Sequence, residues 1–143
     1  MYPSSLFQPR SSNKQLSSGG VYQLLGQAAK NPSNGLSCYA CGDLFSAVVK
    51  PSVDHLIPVS HRPGGRRVKN NNTNFLALMC MVCNRAKAAM PFLEYSRCYP
   101  QVAQGLTKQA SILKKDPRLV GIANEQLALA EKARSASKWT ISA

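Results

Sequence analysis

Acidic side chains are scarce in this chain: six Asp and Glu stand against eighteen Lys and Arg, and none occurs before Asp43. The resulting formal charge of +12 and pI near 9.9 call for an anionic partner. Long apolar runs are missing too. The longest, 75–83, is far too short to span a bilayer, and no secretory apolar core opens the chain. A polyanion such as nucleic acid therefore outranks a membrane. Disulfide-scaffold chemistry is also disfavoured. Of five cysteines, four fall in metal-binding spacing and only Cys98 is left over, which suits a reducing, cytoplasmic compartment and reads as a small buried hydrophobe.

At 143 residues, with 44% hydrophobic and 17% charged side chains, the chain has the make-up of one small globular domain with extensions. Residues 1–35 read as a basic, Ser-rich flexible arm followed by a short helix over 21–30, closed by the Asn31-Pro32-Ser33-Asn34-Gly35 cluster. Residues 36–90 change character. Short β-prone runs at 47–49 and 53–59 are punctuated by Pro51 and Pro58, and a polar connection covers 60–72. An apolar run at 75–79 then leads to a helix over 83–90, stopped by Pro91. Residues 91–143 form a helical extension. Val102, Leu106, Ala110 and Leu113 recur at helical spacing, and Asp116-Pro117 starts a second helix that packs as core or dimer surface. The fold class expected is α+β.

Two Cys-x-x-Cys pairs, Cys38/Cys41 and Cys80/Cys83, bracket a 38-residue insert. Four thiolates in paired knuckles are the ligand set of structural zinc, with no position left open for water. Gly42 follows Cys41, where the turn around a metal-bound sulfur favours a residue without Cβ. The insert carries Asp54-His55, and Asn84 follows the second pair one residue into a helix, able to face away from the zinc. Asp and Asn oxygens are hard donors suited to a Mg²⁺-like ion, and a histidine beside such an ion can take a proton from attacking water. Between 50 and 87 the basic residues Lys50, Arg62, Arg66, Arg67, Lys69, Arg85 and Lys87 face Asp54 as the one acid. Arg62, Arg66, Arg67, Lys69, Arg85 and Lys87 are the candidate phosphate contacts.

The order Cys-x-x-Cys-Gly, Asp-His-x-x-Pro, Gly-Gly, Asn, Cys-x-x-Cys-Asn-x-x-Lys over 38–87 resembles the HNH endonuclease family in its zinc-knuckle form. The resemblance implies a ββα-metal core clamped by a four-cysteine zinc site, with helical N- and C-terminal extensions. It matches His55 to the general base, and Asp54 and Asn84 to the ligands of a catalytic Mg²⁺ or Mn²⁺. Asn74 matches the middle asparagine that holds the hairpin loop, one position further from Asn84 than the family spacing, which falls on Phe75. The implied activity is hydrolysis of phosphodiester bonds in duplex DNA, leaving 5′-phosphate and 3′-hydroxyl ends. One centre nicks one strand, so a double-strand cut needs a homodimer or two sequential nicks. Freestanding proteins of this kind are common in phages and mobile elements. The rival reading is a zinc-stabilised nucleic-acid-binding or assembly protein that retains the scaffold without cutting. His61, in the polar connection, has no counterpart in the motif.

Overall fold

The computed structural model describes residues 18–58 and 75–142. The first helix, α1 (Ser18–Lys30), ends where expected. Asn31 caps the turn Pro32–Asn34 by accepting from the Ser33 amide at 3.1 Å, and Gly35 takes the left-handed conformation, φ 69°, that lets the chain reverse. The chain then forms the first knuckle and strand β1 (Pro51–His55). Pro51 opens this strand, at a position where its missing amide costs no ladder bond. The strand expected at 47–49 does not form. Ser46 Oγ accepts from the amides of Val48 and Val49, both at 3.1 Å, and this local bonding replaces strand pairing.

Strand β2 (Leu76–Cys80) runs antiparallel to β1, in a register from Pro51 opposite Cys80 to His55 opposite Leu76. Cys80 is also the N-cap of α2 (Met81–Lys87), so strand passes into helix without a loop. This helix starts and ends earlier than its composition suggested. Pro91 caps a further helix, α3 (Phe92–Cys98), which the sequence reading lacked, because a proline that ends one helix is equally suited to begin the next. Cys98 lies exposed in the last turn of α3, so its reading as a buried hydrophobe is corrected. Helix α4 (Gln101–Leu113) and helix α5 (Val120–Ser142) form a hairpin, and Asp116 caps the turn Pro117–Leu119 between them by accepting from the Arg118 amide at 2.9 Å.

All five residues of β2 are buried, and strand alternation divides Leu76 to Met79 between two apolar clusters. Leu76 and Leu78 pack with Tyr22, Leu25, Val53, Leu113 and Ile122. Ala77 and Met79 pack with Tyr39, Leu56, Phe92, Leu106 and Ala130. The outer edge of β2 is covered by side chains where another sheet would place a strand. Gln109 Oε1 accepts from the Leu78 amide at 2.8 Å, and Gln109 Nε2 donates to the Leu78 carbonyl at 2.9 Å. Gln126 Nε2 donates to the Leu76 carbonyl at 3.0 Å and to Gln109 Oε1 at 3.0 Å. The C-terminal helices thus complete the core that the hairpin begins. Gly105 shows how closely they approach: a Cβ there would run into the Tyr39 carbonyl in the first knuckle.

Candidate metal centre and catalytic cleft

The four Sγ atoms of Cys38, Cys41, Cys80 and Cys83 lie within 4.8 Å of one another, with Cys41 and Cys80 4.0 Å apart. Ligands at 2.3 Å around tetrahedral zinc stand about 3.8 Å apart, so the cluster fits that ion. Each knuckle points amides at its first sulfur. Ala40 and Cys41 donate to Cys38 Sγ at 3.4 and 3.5 Å, and Cys83 donates to Cys80 Sγ at 3.4 Å. Gly42 has φ 82°, as the sequence led us to expect. Burial, reinforced by the neighbouring sulfurs, pushes the Cys41 thiol up to about 11 and raises Cys83 as well. For Cys80 burial works in the same direction, but hydrogen bonds from Cys83 and the adjacent thiols outweigh it and lower the group. Four thiolates cannot share so small a space without a cation between them.

Asp54, His55 and Asn84 line one cleft of about 190 Å³, together with Pro58 and Ala88. Asn84 turns from α2 toward the hairpin. Its Nδ2 donates to Ser52 Oγ at 2.9 Å and to the Val53 carbonyl at 3.3 Å, which commits the nitrogen end of the amide to β1. His55 Nε2 is 2.7 Å from the Tyr22 hydroxyl of α1. Asp54 is only 3% exposed. One carboxylate oxygen accepts from Tyr39 Oη at 2.8 Å and the other from Lys87 Nζ at 3.0 Å. Burial and the adjacent Asp54 charge raise Tyr39 well above its ordinary range, so it stays a phenol and a donor.

Lys87 is corrected here. Its side chain is fully buried, salt-bridged to Asp54 and 5.8 Å from the centre of the Tyr95 ring, so it presents no charge to a phosphate outside. Three residues beyond Asn84, it shares the helix face that Asn84 turns toward β1, and the same geometry carries it inward. Arg85 is exposed on α2. Arg62, Arg66, Arg67, Lys69, His61 and Asn74 lie outside the described residues. At the position next to Asn74, Phe75 has φ 54°, its amide donating to Glu125 Oε1 of α5 at 2.8 Å and its carbonyl accepting from Leu56 at 2.7 Å. Tyr39 and Tyr22 are the site residues that sequence reasoning missed. Tyr39 carried one signal, its place between two zinc-knuckle cysteines.

Removal of the Lys87 ammonium leaves the buried Asp54 carboxylate with the Tyr39 phenol as its side-chain partner among the described residues. Lys87→Met is expected to lower stability by about 3–5 kcal/mol in a denaturant titration, whereas Arg85→Met should stay within roughly 0.5 kcal/mol. Equal effects of the two changes would show that water reaches Asp54.

A two-stranded hairpin leads directly into a helix, with a cluster of four cysteines at their junction and an Asp, His and Asn cleft along the same hairpin. Residues 38–89 match the family model of the HNH endonuclease. The α+β fold, a hairpin and helix beside a four-cysteine cluster with helical extensions, is thus consistent with an HNH core, and the match suggests a nuclease-like or nucleic-acid-binding role for this segment. No curated protein and no solved structure matches the chain. Among the described residues, no helix is long and apolar enough to cross a membrane.

Proposed function

We propose that the protein is a metal-dependent DNA endonuclease or nickase. The observation that carries this reading is the convergence of Asp54, His55 and Asn84 on one cleft beside the four-cysteine cluster. His55 accepts a proton from the water that attacks phosphorus. Asp54 and Asn84 supply oxygens to a Mg²⁺-like ion, and the carboxylate, with one bond accepted at each oxygen, keeps capacity for a further partner. When bound, that ion would stabilise charge on the phosphate and the leaving 3′ oxygen. Lys87 partly neutralises Asp54, so the cleft should hold the cation weakly until substrate phosphate adds its own oxygens.

The same salt bridge also favours a second reading, in which the ammonium stands permanently where a cation would act and the cleft only binds nucleic acid. Supercoiled plasmid incubated with purified protein and Mg²⁺ or Mn²⁺ separates the two. Conversion to nicked circles supports the enzyme, and intact plasmid with every cation supports the binding scaffold.

Under either reading, binding to duplex DNA should weaken steeply with salt. Neutralising Arg66 and Arg67 together should reduce the slope of log K against log salt by roughly 2. A slope unchanged in the double variant would remove these two from the phosphate contacts.

A further inference from the structure

One hydrogen bond to His55 comes from outside the segment that matches the HNH family. Tyr22 belongs to α1, sixteen residues before the first knuckle cysteine, and the family match begins at 38. Tyr22 is 9% exposed and packs in the same cluster as Val53 and Leu25, which fixes the hydroxyl in place. The two rings meet edge to face, with centroids 6.0 Å apart and planes at 84°, and Oη approaches Nε2 to 2.7 Å. That distance belongs to a well-formed hydrogen bond, made by a buried residue on a helix that packs against β1.

We propose that Tyr22 is a positioning residue for His55, setting its tautomer so that Nδ1 is the nitrogen that works on water. This inference rests on the endonuclease reading. A neutral imidazole carries one proton and one lone pair, and the hydrogen bond at one nitrogen decides which bears which. If Nε2–H donates to the Tyr22 oxygen, the lone pair sits on Nδ1, where a general base needs it. If the phenol donated to Nε2 instead, Nδ1 would carry the proton and neither nitrogen could accept another while the bond lasted. Only the first arrangement is compatible with a base, and the phenol oxygen has the lone pairs to accept it. In this arrangement α1 is part of the site, although the motif does not include it.

The chain has only two histidines, so imidazole nitrogen-edited NMR spectra are readily assigned, with His55→Ala identifying the His55 signals. In the wild-type protein, the His55 Nε2–H proton should persist in water as a hydrogen-bonded resonance. Tyr22→Phe, which keeps the ring in the core, should lose that resonance to exchange while zinc content and far-UV circular dichroism stay the same. In plasmid nicking, kcat should fall about tenfold, the size of one charge-assisted hydrogen bond, with KM nearly constant. A His55 resonance that is missing in the wild type, that belongs to Nδ1–H, or that survives in Tyr22→Phe overturns the proposal whatever the activity. Wild-type protein that leaves plasmid intact with every cation, yet shows the resonance and loses it in Tyr22→Phe, overturns the endonuclease reading alone and leaves the Tyr22 assignment of the tautomer standing.

Discussion

Stripping metal from the four-cysteine cluster is expected to unfold the protein. A thiolate site of this type contributes an apparent binding free energy of about 10–16 kcal/mol, and a small domain has only about 5–15 kcal/mol of stability in total. The cluster also ties the first knuckle to the end of the hairpin and the start of α2. Cys38 and Cys41 precede the hairpin, Cys80 ends β2, and Cys83 lies in α2. Tyr39 lies between the first two ligands and holds Asp54, so disorder at the metal passes directly to the cleft. Elemental analysis should find one zinc per chain in protein purified without added metal. Prolonged chelation, or Cys80→Ser, should abolish the cooperative thermal transition, while Cys98→Ser, at an exposed cysteine outside the cluster, should leave it in place. A Cys80→Ser protein that melts like the wild type would falsify the structural role of the ion.

The second large effect concerns chemistry and not folding. His55→Ala should slow nicking by about 10²–10⁴-fold, the usual contribution of a general base, with zinc content, fold and DNA affinity retained. Asn84→Ala should lose activity and require more divalent cation, because it removes one oxygen from a site with few protein ligands. Asp54 needs a gentler change. Asp54→Ala would orphan the buried Lys87 ammonium and confuse instability with lost catalysis, so Asp54→Asn is the cleaner probe. Wild-type cutting that survives intact in His55→Ala would move the base elsewhere, with His61, the other histidine, next in line.

The parts of this site legible in the sequence are those whose spacing is itself the signal. Paired cysteines bring two sulfurs together by local geometry, and Cys80 and Cys83 meet Cys38 and Cys41 in a cluster small enough for one ion to join all four. Asn84 could be turned toward the hairpin by counting around a helix. Lys87 obeyed the same count, yet its charge drew it toward a solvent-facing assignment, since a buried ammonium is rare unless a carboxylate receives it and nothing local names that carboxylate. Tyr22 is harder still. A tyrosine in an apolar stripe looks like packing, and only the closure of the fold brings it to His55, thirty-three residues away. The strand expected at 47–49 failed for a related reason: β-prone residues form a strand only when a partner lies alongside, and here Ser46 offers closer bonds.

The two glutamines along β2 bear on how this molecule could be cut or recombined. Excising 38–89 would remove Gln109 and Gln126 and bare the strand's amides and carbonyls, along with apolar faces now covered by α4 and α5. An exposed apolar edge strand is a template for pairing with another chain, so the fragment should self-associate instead of behaving as a portable nuclease cassette. A graft of this domain into another protein would have to carry the helical hairpin with it, or charge the strand's edge against aggregation.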